Sequence, residues 1–256
     1  MTEEASKVRT AKKLPVMEIF GPTIQGEGAM IGVQTHFIRF GLCDYKCTMC
    51  DSMHAVDPLK VKANARWQTP AEIMERIVSM SGFPTWMTLS GGNPCIHDLG
   101  ELVVALQDAG VKVAVETQGT MLPDWVSMCD VITVSPKSPG MGETFEYDKF
   151  LNYVQQFQHH KGFNVKVVVF SEQDLVFAQS INMTMCDYAL DDKMYLSLGN
   201  PYPPGLEAGL SDDELKLALM KQYSILTEDL LKLPNMTNVK FLPQLHVLAW
   251  ANKQEV

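Results

Sequence analysis

The sequence lacks any run of about 18 apolar residues, so no stretch qualifies as a membrane-spanning helix. Its charged start, Met1 to Lys13, has no apolar core and is not read as a secretory signal. An excess of positive charge is also missing. Lys and Arg number 21 against 30 Asp and Glu, a net charge of −9, whereas a protein that grips nucleic acid is more often basic. Six cysteines in 256 residues, three of them clustered, do not form a disulfide framework. There is no internal repeat and no low-complexity segment. What remains is ordinary globular material, 46% hydrophobic and 20% charged, long enough to bury a large core as one domain. Residues 1–14 are polar and expected to fray. Cys95, Cys129 and Cys186 are scattered and read as small core residues.

The chain is organised around Gly41-Leu42-Cys43-Asp44-Tyr45-Lys46-Cys47-Thr48-Met49-Cys50-Asp51-Ser52. Three thiols stand at the spacing C-x3-C-x2-C, directly after a strand-like run, Thr35 to Phe40. Close thiolates suit a soft metal centre. Structural zinc takes four ligands, and no fourth Cys or His lies at a finger-like spacing. His54 is close, but at an unusual one. An iron–sulfur cluster is normally held by four thiolates, so three leave one iron open to an exogenous ligand, as a catalytic cluster requires. On the cysteines alone a cluster ranks above zinc, and zinc above no metal. A thiolate centre implies a reducing, cytoplasmic setting.

The rest of the chain alternates strand and helix. Val16 to Phe20 is a short apolar piece, and Gly21-Pro22 is expected to turn the chain. Met53 to Arg66 reads as irregular. Thr69-Pro70-Ala71-Glu72 is a capping box opening a helix whose apolar face is Ile73, Met74, Ile77, Val78 and Met80. Strands are expected at Trp86–Leu89, Val111–Val115, Val131–Val134, Val165–Phe170, Met194–Leu196 and Val239–Leu242. Helices are expected over Asp98–Ala109 and Tyr147–His160, after Ser171, and from the second capping box at Ser211 to about Leu231. This pattern argues a parallel sheet with right-handed crossovers, and about six main strands argue an α/β fold of the partial-barrel type. Polar blocks recur at the C-terminal strand ends, which in a barrel converge on one mouth. Core packing does not explain them.

These blocks carry a resemblance. C-x3-C-x2-C is the signature of radical S-adenosylmethionine enzymes. Glu18-Ile19-Phe20 with Thr23-Ile24-Gln25-Gly26-Glu27-Gly28, Phe37-Ile38-Arg39, Cys50-Asp51-Ser52, Leu89-Ser90-Gly91-Gly92-Asn93-Pro94, Glu116-Thr117-Gln118-Gly119-Thr120, Ser135-Pro136-Lys137 and Pro243-Gln244-Leu245-His246 narrow it. In that order they resemble the 7-carboxy-7-deazaguanine synthases of the queuosine pathway. The resemblance implies a partial (β/α)6 barrel, TIM-like and of the radical S-adenosylmethionine type, with residues 15–256 as one domain. It implies a [4Fe-4S] cluster on Cys43, Cys47 and Cys50, S-adenosyl-L-methionine on its open iron, and Mg2+ held by Ser52. The implied substrate is 6-carboxy-5,6,7,8-tetrahydropterin, contracted to 7-carboxy-7-deazaguanine with loss of ammonia.

Substrate contacts implied by the resemblance are Ile24, Gln25, Gly26, Ser90, Gln244 and His246, with Arg39 as a bidentate carboxylate clamp. Cofactor contacts are Gly92, Glu116, Ser135, Pro136, Lys137, Ser197, Leu198, Gly199 and Asn200. Gly91-Gly92 would let backbone approach the cofactor's amino group. The chain departs from the pattern twice. Val56 stands where the family has Trp. Asn93 stands where many superfamily members have Glu, leaving hydrogen bonding to the ammonium but no salt bridge. Asp44, Tyr45, Lys46, Thr48 and Met49 read as loop filler. The implied partners are a flavodoxin or ferredoxin reductant and a second copy in a homodimer, with no direct nucleic acid. Two other functions stay open, a radical activase that makes a glycyl radical on a partner protein and a zinc-stabilised binding module.

Overall fold

The computed structural model describes residues 12–204 and 209–253. Strand β1 (Leu14–Ile24) pairs antiparallel with β2 (Gln34–Phe40) on one side and β3 (Arg66–Gln68) on the other. Beyond β2 every pairing is parallel, and spatial order follows the chain: β4 (Trp86–Gly91), β5 (Lys112–Thr117), β6 (Val131–Val134), β7 (Phe163–Val169), β8 (Met194–Leu198) and β9 (Lys240–Leu242). The result is a mixed α/β fold around one nine-stranded sheet. One reversed strand, β1, antiparallel to both its neighbours, modifies the expected all-parallel arrangement.

Strand alternation sorts the side chains. In β7, Phe163, Val165, Val167 and Val169 point into the apolar core, so Asn164 and Lys166 point the other way. In β2, Ile38 and Phe40 are core residues and Arg39 is not. The same holds for Leu89 against Ser90 in β4 and Val115 against Glu116 in β5. Arg39, Ser90, Glu116 and Lys166 therefore share the face away from the helices. A 3-10 turn at Gly28–Met30, just after β1, packs against β7 and β8. The sheet thus curls enough to bring its first strand's exit over its later strands.

Helices flank the sheet, most of them on its outer face and two short ones bordering the inner cleft. They are α1 (Met53–Val56), α2 (Pro58–Asn64), α3 (Pro70–Ser81), α4 (Gly100–Asp108), α5 (Tyr147–Phe157), α6 (Glu172–Asp187), α7 (Asp212–Leu230) and α8 (Leu245–Trp250). Both capping boxes form. Thr69 Oγ1 accepts from Glu72 N (3.3 Å) while Glu72 accepts from Thr69 N (2.7 Å), and Ser211 and Glu214 repeat the exchange. Between β5 and β6 the crossover is only a five-residue 3-10 segment, Asp124–Met128, which interrupts the expected alternation.

Several expectations are corrected. Of the stretch expected to fray, residues 1–11 lie outside the described residues, and Leu14 is instead the buried first residue of β1. Gly21-Pro22 does not turn the chain. It sits inside β1, joined by a cis bond, where pairing with β2 slips between Phe20 and Thr23. A bulge absorbs the extra residues, and β3 pairs only with 14–16, so this proline lies where no further neighbour needs its N–H. Met53 to Arg66 is not irregular, because Asp57 accepts from Leu59 N (2.8 Å) and caps α2 with Pro58 in its first turn. In α3, Ile73 and Ile77 face the core, but Val78 and Met80 rotate outward, 50% and 41% exposed. Cys95 and Cys129 are buried as expected, whereas Cys186 is exposed on α6.

Candidate active site

The thiol loop leaves β2 at Phe40 and is pinned on two sides. On one side it lies against β4. Gly92 N donates to Phe40 O (2.9 Å) and Asn93 N to Leu42 O (2.8 Å). A Cβ on Gly92 would stand 2.0 Å from Leu42 O, so glycine here lets two backbones touch. Asn93 is fully buried. It donates to Asp44 Oδ1 (2.9 Å) and Thr120 Oγ1 (3.3 Å) and accepts from Thr117 Oγ1 (3.0 Å) and Cys95 N (3.2 Å). Its capacity is used inside the protein. It braces the loop, and is not left over for a cofactor ammonium. On the other side, Tyr45 Oη donates to Thr144 O (2.9 Å), Thr48 N to Met141 O (2.9 Å) and Lys46 N to Glu143. Asp174, fully buried, accepts from Gly140 N (2.7 Å) and Phe170 N (2.9 Å) and so anchors that segment. Residues read as filler therefore hold the thiols in place.

Cys43, Cys47 and Cys50 face one cleft. Burial pushes all three thiols up, Cys47 to about 11 and Cys50, beside Asp51, to about 12, while the Lys137 ammonium pulls the other way. They hold protons until a metal displaces them. Among the described residues no three His, Cys, Asp or Glu side chains gather around a single point. A cluster needs no such point, since each thiolate takes its own iron. Three thiols on one wall, backed by N–H donors and a lysine, fit that group.

The opposite wall is ionic. Glu18 accepts from Arg39 Nε (2.8 Å) and from His54 Nε2 (2.6 Å). Burial pushes the Glu18 carboxyl up, but the His54 hydrogen bond and the Arg39 charge bring it down to about 2. Arg39 Nη1 also donates to Ser52 Oγ (2.9 Å), which donates to Asp51 Oδ1 (2.8 Å). Arg39 thus stands in an ion pair within the cleft, 5.9 Å from the Phe20 ring centroid, and Phe20 stacks on Phe37. Deeper in, Lys166 pairs with Glu27 and lies 3.6 Å from Glu116. Burial raises Glu27, yet Lys166 and His246 hold it at about 2. Burial lowers Lys166, yet Glu27 and Glu116 raise it above its ordinary value. Both stay charged. Glu116 further accepts from Gln25 Nε2 (3.2 Å) and Ser90 Oγ (3.3 Å), and Gln244 donates to Glu27. Gly26 presses on His246, where a Cβ would meet Nδ1 at 2.1 Å.

The cleft brings together Ile24, Gln25, Gly26, Arg39, Ser52, Ser90, Gly92, Glu116, Ser135, Lys137, Asn200, Gln244 and His246 with the thiols. It does not bring in Pro136, Ser197, Leu198 or Gly199. Leu198 points into the core, Ser197 is sealed, and a Cβ on Gly199 would strike the Phe170 ring at 2.2 Å. Asn200 lines the cleft, but its side chain is engaged by Asn252 and Tyr202 N. Glu116, expected at the cofactor, lines the cleft beside Gln25, Ser90 and Lys166. Sequence reasoning missed Lys166, gave Glu18 and Gln118 no role beyond their place in the resembling blocks, and weighed His54 only as a metal ligand at an unusual spacing. The signal for Lys166 was present: a lysine inside the valine run Val165–Val169 must lie on the face opposite the core.

No family model matches the chain. Over 252 residues it is 36% identical to the 7-carboxy-7-deazaguanine synthase of Bacillus subtilis (strain 168), covering 96% of this chain and 100% of that one. Over 247 residues it is 35% identical to the enzyme of the same name from Bacillus cereus, covering 95% and 99%. Its fold is similar to the crystal structure of QueE from Escherichia coli, with a TM-score of 0.58 at 22% identity over 91% of this chain and 95% of that one. Likeness at that identity speaks for the fold. The Bacillus relatives speak for more, because their identity is sustained from end to end, and the chain belongs to the 7-carboxy-7-deazaguanine synthase family.

Proposed function

We propose that this protein contracts 6-carboxy-5,6,7,8-tetrahydropterin to 7-carboxy-7-deazaguanine with loss of ammonia, as a radical S-adenosylmethionine enzyme with a partial-barrel scaffold. The observation that carries the reading is the shared cleft. Thiols from one loop and polar groups from both ends of the chain line the same space. Cys43, Cys47 and Cys50 would hold a [4Fe-4S] cluster, which with S-adenosylmethionine supplies a carbon-centred radical from one electron.

The chain's own residues bind, orient and exclude water. Arg39 is held in place by Glu18 and Ser52, so its charge is aimed before a carboxylate arrives. Ser52 Oγ and the neighbouring Asp51 carboxylate are two hard oxygens suited to Mg2+. Glu116 offers an acceptor carboxylate to the N–H-rich edge of the ring. Gln244 Oε1 is buried without a partner among the described residues and is a second acceptor. Lys137 donates to Ser135 Oγ (3.3 Å) and keeps positive charge on the thiol side, where the cofactor's carboxylate would lie. Phe20, Phe37, Phe170 and Val247 complete the apolar lining. A small one-electron carrier as reductant and a homodimer belong to the same proposal on the family likeness alone.

The test is anaerobic. Protein reconstituted with iron and sulfide is incubated with the carboxylated pterin, S-adenosylmethionine, Mg2+ and a reductant. The expected result is 7-carboxy-7-deazaguanine and ammonia in equal amounts, with S-adenosylmethionine regenerated. Zinc retained in place of iron, or cofactor cleavage with no pterin consumed, would overturn the reading.

A further inference from the structure

Among the described residues, Cys43 is the thiol of the loop with a side-chain donor. Gln118, 9% exposed at the exit of β5, points its Nε2 at Cys43 Sγ (3.5 Å), and Tyr45 N points at the same sulfur (3.4 Å). A carboxamide nitrogen has two hydrogens. The second is directed at Asp44 Oδ1, which also accepts from the buried Asn93. Gln118 is therefore fixed by an acceptor that is itself braced, and its remaining N–H has a defined direction. We infer that Gln118 is a positioning residue that orients the thiol loop through Asp44 and, by its N–H on Cys43 sulfur, sets how readily a cluster there accepts an electron.

The physical argument is electrostatic. Reducing an iron–sulfur cluster adds one negative charge, which spreads onto the ligand sulfurs. An N–H dipole aimed at a sulfur stabilises the reduced form more than the oxidised one, and hydrogen bonds to sulfur are among the determinants of cluster potential. The same wall carries opposing charges. Asp44 and Asp51 disfavour added electrons, while Lys137 favours them. Asp44 cannot be moved away, because it is bonded to Asn93 in the fully buried network of Thr117 and Thr120. The Gln118 amide offsets a carboxylate that the loop's own bracing requires. The inference rests on the proposed function, since it needs a cluster on Cys43.

The test is an EPR-monitored redox titration of reconstituted wild type and Gln118→Met, which keeps length and loses the donor. The midpoint of the variant is expected to move to a more negative potential, with the dissociation constant for S-adenosylmethionine unchanged. An unchanged midpoint overturns the inference. So does weaker cofactor binding at an unchanged midpoint, which would make Gln118 a ligand contact. A second measurement does not depend on the variant assembling its cluster. Wild type carrying 15N only in its glutamine side-chain amides should show a 15N coupling in pulsed EPR of the reduced cluster, and its absence overturns the inference. A wild type that assembles no cluster at all overturns the proposed function as well, whereas a normal cluster indifferent to Gln118 overturns this inference alone.

Discussion

The two walls of the cleft are made in opposite ways. The thiol wall comes from one short loop, and its reactive groups are neutral, their protons held by burial. The ionic wall is collected from β1 and the turn after it, from β2, α1, β4, β5 and β7, and from the start of α8, and Glu18, Glu27 and Lys166 on it are charged already. Under the proposed function the first wall would be organised by the metal cluster it holds. The second is organised by its own ion pairs before any ligand arrives. A buried pair such as Glu27–Lys166 contributes little net stability, but removing one partner strands the other charge. It trades adaptability for a fixed field.

The sharpest break in the comparison is on the thiol side. Cys43→Ala should abolish cluster assembly, read as loss of iron, sulfide and visible absorption after reconstitution, while Cys186→Ala retains all three. Equal retention in both variants would remove Cys43 from the metal site. On the ionic side Lys166→Met should cost about 3–5 kcal/mol by stranding Glu27, measured by urea unfolding, and leave iron incorporation intact because no thiol touches Lys166. If iron is lost in proportion to stability, the two walls are not independent.

A milder perturbation is pH. Glu27 and Glu18 lie below the ordinary carboxylate value of 4.5, at about 2. The stability they contribute is fully present above 4.5 and is lost as pH falls from there toward 2. In Lys166→Met the carboxyl of Glu27 loses its main partner and rises, so the acid transition of the apo protein should move to higher pH. An unmoved midpoint would mean that His246 and Gln244 hold Glu27 unaided. Smaller again, Arg39→Lys keeps a charge but loses the fork bridging Glu18 and Ser52. It should weaken pterin binding about tenfold, about 1.4 kcal/mol, with S-adenosylmethionine binding untouched. Equal weakening of both would make Arg39 a support of the fold. Smallest is Thr69→Ala, which removes the α3 cap far from either wall. A loss of about 1 kcal/mol, with turnover unchanged at saturating ligands, is expected by thermal unfolding and kinetics.

The contrast also explains what was readable in the sequence. The thiol wall is local, so spacing alone exposes it. The capping boxes at Thr69 and Ser211 are local too, and both form as expected. Glu18, His54 and Lys166 acquire meaning only when strands distant in sequence become neighbours. Glu116 was expected at the cofactor by resemblance, and only the folded chain shows that it bonds to Ser90 and Gln25 on the ionic wall of the cleft it shares with the thiols. Ser197-Leu198-Gly199 ends a strand in the same way, but Leu198 turns to the core and the Phe170 ring lies against Gly199. A strand end marks a mouth without saying which side chains reach it. Gly21-Pro22 and Met53–Arg66 were misread because turn residues and charge suggest irregularity, while a bulge and an Asp57 cap convert them into strand and helix.

The stitching of the thiol loop to the segment around Met141 and Glu143 joins residues separated by 93 and 97 positions. Asp174 extends the requirement by a further 34. A growing polypeptide therefore exposes its three thiols long before the contacts that seat them exist. Until α6 has emerged and docked, Cys43, Cys47 and Cys50 sit on a loop missing one of its two supports, open to oxidants and to adventitious metals. Loop closure over such separations is slow relative to local structure, so under the proposed function iron would best be loaded after α6 has docked, and the yield of active protein would depend on how reducing the chain's birthplace is.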